Sequence, residues 1–201
     1  MKLIKSLFSL LITLGLVFTT SCSEDDDHDH DHDGEEVINQ VVVTFTPTSG
    51  GASVSATWFD ADGEGTANPT IGTIDLAANT EYDMAMTLAN TLGAEDEDVT
   101  EEIEGEGDEH MFFFEFTTDI FSNPAGNGNS DNRADPLNYG DNDENGFPVG
   151  LESTWTTGDV TSAAGNFRVI LKHQPDGLKT ADSNSSVGGT DVNITFPINI
   201  N

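Results

Sequence analysis

Carboxylates, amides and a few imidazoles are the groups with chemistry to offer in this chain. The most specific arrangement is Asp141-Asn142-Asp143-Glu144-Asn145-Gly146, separated by five residues from Glu152. This is the spacing of a calcium loop: oxygens of Asp141, Asp143 and Asn145 wrap a hard cation, the glycine permits a sharp turn, and Glu152 closes the shell. An EF-hand sets that loop between helices, whereas here the following residues alternate as a strand and include Pro148. The same residues also suit a plain Asp/Asn-rich hairpin turn, and the pattern leaves both readings open. Asp60-Ala61-Asp62-Gly63-Glu64 is a shorter oxygen-rich loop with the same two readings.

Imidazoles suggest softer metals. His28, His30 and His32 alternate with aspartates, a composition that collects zinc, copper or nickel ions. The neighbouring carboxylates favour protonated imidazole, and ordering the segment costs entropy, so the expected capture is weak. His110 and His173 are the other two histidines, and Asp108 shares the parity of His110. If the strands carrying them are neighbours, Asp108, His110 and His173 make a zinc-type cluster. Otherwise they are strand-end histidines that cap the core edge by bonding to backbone. Calcium and zinc are thus the cofactors the sequence points to.

Catalytic signatures are missing. No serine sits in a nucleophile elbow, no HExxH occurs, Cys22 is the only cysteine, and the Gly/Asn-rich stretches lack a phosphate-loop lysine. Carboxylate pairs are too common to mark an acid/base dyad. The sequence predicts a protein that is not an enzyme.

The N-terminal segments give an address. Lys2 and Lys5 precede an apolar run from Leu7 to Phe18, too short to span a bilayer, and Thr19-Thr20-Ser21 leads into Cys22. Residues 1–21 therefore read as a lipoprotein signal peptide with a relaxed lipobox, and Cys22 as the lipidated residue. Residues 22–36 follow as an acidic tether with no core-forming side chain, expected to be disordered. Residues 37–201 form the single folded domain, enough chain for one core. The whole chain holds 37 acidic against 6 basic residues, and losing Lys2 and Lys5 takes its formal charge from −31 to about −33. That excludes nucleic acid and anionic membrane surfaces as partners and favours cations or a basic protein patch.

The folded domain reads as strands. Val41, Val43 and Phe45 alternate with threonines; Ala52 to Phe59 forms a second strand and Thr70 to Leu76 a third. Tyr82, Met84, Met86, Leu88 and Leu92 mark a long fourth strand. Gly93 to Asp108 is an acidic connector in which Val99 to Glu104 suits one helical turn with little to bury. Met111 to Phe116 has the composition of a central strand covered on both faces. Asp119 to Asn145 is a long loop, Phe147, Val149, Leu151 and Trp155 share one parity, and Gln174 to Gly189 is a polar loop. Phe167, Val169, Leu171 and His173 line one strand face, and Val192 to Ile200 closes the chain as a strand. The expected fold is an all-β, antiparallel two-sheet sandwich of immunoglobulin-like type.

Several stretches resemble small surface lipoproteins of Bacteroidota whose function is unknown: Leu76 to Tyr82, Glu97 to Ile103, Glu106 to Phe113, Gly146 to Leu151, Leu171 to Pro175 and Thr190 to Pro197. The acidic run behind Cys22 is similar to their export signal, which implies the outer face of the outer membrane and anchoring through lipid. Such proteins often carry the label "type 1 periplasmic binding fold superfamily protein", which implies a bilobed α/β receptor for small ligands. The strand-only pattern here departs from that architecture. The leading expectation is a non-enzymatic surface lipoprotein that binds a divalent metal and presents it to an uptake partner such as an outer-membrane transporter. The rivals are a structural or adhesive module with calcium-stabilised loops, and a small-ligand binding protein.

Overall fold

The computed structural model describes residues 37–63 and 65–201. Cys22, His28, His30 and His32 lie outside the described residues, as does Glu64.

Alternation of apolar and polar side chains sets the strands. In β1 (Gln40–Pro47) Val41, Val43 and Phe45 are fully buried while Thr46 is exposed. In β5 (Glu81–Asn90) Tyr82, Met84, Met86 and Leu88 are buried against exposed Glu81, Asp83, Ala85 and Thr87. Each strand thus contributes one face to a core, as period two requires. β5 ends at Asn90, so Leu92 falls beyond the strand and is exposed.

Two sheets pack face to face into an all-β sandwich. The larger runs in the order β3 (Thr70–Ile71), β2 (Val54–Phe59), β1, β5, β9 (Glu152–Thr157), β8 (Phe121–Asn123), with β6 (Glu97–Asp98) pairing with β5. The smaller has the order β4 (Ile74–Leu76), β11 (Gly189–Ile200), β10 (Gly165–His173), β7 (His110–Phe116). All pairings are antiparallel except β4 with β11. The third strand expected from sequence is two: the chain leaves one sheet after Ile71 and enters the other at Ile74. Gly72 makes the crossing, donating to the Thr57 carbonyl at 2.8 Å. A Cβ there would sit 3.0 Å from the Thr57 nitrogen and 3.4 Å from Ala56 Cα, so any larger residue would press on β2.

Between the sheets lies an aromatic cluster centred on Trp155, whose ring centroid is 4.7 Å from Phe121, 5.3 Å from Phe167, 5.4 Å from Phe114 and 5.5 Å from Phe116. Its indole N–H is satisfied by Ser153 Oγ at 2.8 Å. The helix α1 (Val99–Gly105) buries Val99 and Ile103 in the same core and is capped by Asp98, which accepts from the Thr100 N–H. It therefore buries more than its single expected turn.

The aromatic strand β7 is covered on both faces, but it is an edge strand and not a central one. Phe112, Phe114 and Phe116 enter the main core; Met111 and Phe113 meet Ile170 in a second cluster, against which Tyr139 packs. The open edge is closed by loop backbone. Phe116 N–H donates to Asn127 O, Asn129 N–H to Phe114 O, and Phe112 N–H to Val149 O, at 2.7–2.9 Å. The buried Asn129 side chain accepts from Phe114 N–H at 3.1 Å, and its amide donates to Tyr139 Oη, which donates to Phe112 O. An aromatic edge strand left open would template aggregation, and this seal prevents it.

Asn129→Ala strands the Phe114 N–H and removes the donor to Tyr139 Oη. The expected loss is about 1–3 kcal/mol in urea unfolding, with faster hydrogen exchange at the Phe114 amide than in the unaltered chain.

Candidate functional site

Strand register brings the two body histidines together. His173 is the Cα partner of His110 at the shared end of β10 and β7. Their rings stack with centroids 4.7 Å apart and planes 9° from parallel. Asp108, the expected third member, is exposed, and its neighbour Glu109 takes that place, with Oε2 3.3 Å from His173 Nε2. Asp191, from the start of β11, also lies near His110, its Oδ2 3.9 Å from Nε2 with both side chains fully buried.

The tautomer of His110 follows from its neighbours. Nδ1 lies 3.2 Å from the Glu106 carbonyl oxygen, an acceptor only, so Nδ1 carries the proton. The lone pair is then on Nε2, which is buried without a hydrogen-bond partner. Burial depresses the His110 pKa below its ordinary value, as does the charge of His173; the Glu106 carbonyl and the Glu106 and Glu109 carboxylates oppose them. Two imidazoles and two carboxylates suit a borderline metal such as zinc. Lone pairs lie in the ring planes, however, so parallel stacked rings aim side by side and not at a shared point. Among the described residues no group of three or more His, Cys, Asp or Glu side chains is arranged to hold a metal ion. Coordination would require the rings to turn out of the stack.

The loop 174–188 covers this end of the sheet. Gln174 N–H donates to Glu109 O at 2.6 Å, and the buried Gln174 side chain donates to Asn184 O and Val187 O and accepts from Ser183 Oγ. Lys172, also buried, donates to Thr190 Oγ1 at 2.6 Å beside a register shift in the β10–β11 ladder.

The calcium-like loop is organised differently from its pattern. Asp141 spends both oxygens on the Gly150 and Leu151 N–H groups, each at 2.8 Å. Those groups are thereby withdrawn from strand pairing, and Gly150 takes a positive φ of 100°, so β9 begins only at Glu152 and not at Phe147. Asp143 Oδ1 accepts from Asn145 and Phe147 N–H, again at 2.8 Å. Its Oδ2 is 2.9 Å from the Lys179 ammonium, in a pair whose side chains are 0% and 1% exposed. Asn145 is exposed and Glu152 lines an open depression of about 300 Å³ with Glu104, Asp141 and Asn142. The Lys179 ammonium thus takes the Asp143 oxygen that the backbone leaves open. In the shorter loop Asp62 likewise accepts from Ala67 and Thr66 N–H, which lowers its pKa.

Burial pushes the Lys179 pKa down, against the pull of Asp143, Asp141 and Asp108. Burial alone would raise the Asp143 carboxyl; the Lys179 ammonium and the Phe147 and Asn145 N–H groups outweigh it and hold the pKa below the ordinary carboxylate value.

Comparison with family models, curated sequences and solved structures found no match.

Lys179, Asp191 and Gln174 escaped the sequence reading. One signal was available for the lysine: only Arg133, Arg168, Lys172 and Lys179 carry fixed positive charge in the body, and a cation that rare among carboxylates has a partner waiting. Arg168 also has one, in Glu115 at 2.8 Å.

Two outcomes follow from these groups. His110 has a folded pKa below its unfolded one, so the folded state binds fewer protons below about pH 6.5; stability is full above that value and declines as the pH falls. Urea midpoints measured from pH 7.5 to 5 should show this slope, and His110→Gln should flatten it. Lys179→Met leaves Asp143 buried without its counter-charge and should cost about 3–5 kcal/mol in the same assay at pH 7.

Proposed function

We propose that this chain is a non-enzymatic, lipid-anchored surface protein that takes up a divalent transition-metal ion at His110 and His173 and presents it to an outer-membrane uptake partner. The observation that carries this reading is the meeting of two imidazoles from separate strands, with Glu109 and Asp191 beside them. A Nδ1–H bonded to backbone and a free Nε2 lone pair on His110 are the state in which histidine binds metal. The alternating histidines 28, 30 and 32 serve as the capturing arm, and Cys22 as the anchor.

A second reading, a structural or adhesive module, is favoured by the outer face of the larger sheet. There Thr44 pairs with Ser55, Thr46 with Ser53, and Thr154 donates to Asp83, giving a rigid hydroxyl and carboxylate surface. Such a face suits a basic protein patch.

Zinc titration of the full chain, followed by thermal unfolding, separates the two. A body site gives stabilisation of RT ln(1+[L]/Kd), about 2.7 kcal/mol at a hundredfold excess over Kd. The expected result is a gain that persists when His28, His30 and His32 are replaced by Ala and disappears in His110→Ala and in His173→Ala. Binding that follows the three tether histidines alone, or no gain at all, defeats the body site and leaves the interaction module.

A further inference from the structure

Hard cations are recognised by converging oxygens on a constrained backbone, and the loop from Asp141 to Leu151 has both. Its carboxylates are fixed by backbone rather than by an ion: Asp143 Oδ1 by two N–H groups, and both oxygens of Asp141 by two more. The remaining oxygen, Asp143 Oδ2, points into the protein, where its side chain is 1% exposed. The Gly107 carbonyl converges on the same point from the end of the α1 turn. At that point sits a positive charge, Lys179 Nζ, 2.9 Å from Asp143 Oδ2 and 2.6 Å from Gly107 O, its side chain wholly buried. Asp141 and Asp108 add negative potential around it.

We propose that this loop is a cation site closed from within, with the Lys179 ammonium as its resident ion. The ammonium meets the oxygens a metal would take, and its four-carbon stem fills the volume a hydrated ion would need. The loop is therefore formed without dissolved calcium, and loss or neutralisation of the lysine opens the position to a hard divalent cation. Calcium fits better than magnesium, because its longer, flexible bonds tolerate oxygens held in irregular geometry, whereas magnesium demands a near-ideal octahedron. This inference is independent of the His110–His173 reading, which concerns a different ion and different side chains near the same start of β7.

The test compares melting of the full chain in chelator and in calcium chloride. The unaltered protein should melt at one temperature in both. Lys179→Ala should melt lower in chelator and recover saturably with calcium, by about 4 °C or more, with a smaller response to magnesium. The double variant Asp143→Asn/Lys179→Ala should show no calcium response. If Lys179→Ala does not fold in chelator, refolding from urea in calcium becomes the readout, and recovery supports the site. The proposal is overturned if folded Lys179→Ala ignores calcium, if its response survives in the double variant, or if the unaltered protein gains as much. It is also overturned if Lys179→Ala fails to refold in calcium while the double variant folds.

Discussion

A strand that is apolar on both faces and lies at a sheet edge must be covered three ways, and β7 imposes that demand on the rest of the domain. Its inner phenylalanines are met by Trp155 across the sandwich and by Phe167 on the neighbouring strand β10. Its outer face and its unpaired backbone have no strand to meet them, so loop residues do both jobs. Asn129 and Tyr139 bridge the edge by hydrogen bonds while Tyr139 also packs on Met111, Phe113 and Ile170. Burial drives the Tyr139 pKa far up, so the phenol stays protonated and keeps donating. The long segments between β8 and β9, and between β10 and β11, are thus parts of the packed body. Their order explains how Asp143 and Lys179, remote in sequence, come to share one buried point.

Charge shapes the molecule from the opposite direction. With carboxylates in such excess, repulsion between like charges is the background against which any cation acts. Arg168 bridges Glu115 and Asn193 on the outer side of the smaller sheet, Lys172 is fixed by Thr190, and Arg133 lies over the Tyr139 ring. Lys179 ties a loop to the helix turn. The cations therefore hold segments of this body together, while unpaired negative charge remains outside. A surface of this kind discourages contact with other acidic surfaces and leaves cations and basic patches as the natural counterparts.

Much of the fold was legible because the side chains repeat locally. β1, β5, β10 and β11 each carry enough alternating apolar residues to declare strand and buried face, and Met111 to Phe116 declared burial on both sides. Long-range choices were not legible. Nothing within Thr70 to Leu76 says that its halves belong to different sheets, because that depends on Thr57 standing beside Gly72. Nor does an aromatic run reveal whether neighbours are strands or loops. The histidine pair was foreseeable from parity, and strand register placed the rings together. Substitution of Glu109 for Asp108 beside them reflects the turn before β7, where Glu109 N–H and His110 N–H both reach back to Glu106 O. The calcium-type spacing was real as a pattern of turns: its aspartates fold the loop by accepting backbone N–H groups, a role that uses the same residue types as ion binding. The lysine that meets Asp143 lay outside the pattern, far along the chain.

The parallel pairing of β4 with β11 has a consequence for how the chain is handled before it folds. β11 lies between β4 and β10, and its last residues, Ile198 to Ile200, are what hold β4 in the sheet. Asn201 extends the clamp, donating to Leu76 O and accepting from Ala78 N–H. An early segment is thus fastened by one more than a hundred residues later, a contact of high loop-closure cost that forms slowly. A chain emerging N-terminus first cannot complete the smaller sheet until about residue 200 is free. Until then β4 has no strand to pair with, so closing the smaller sheet is a late step.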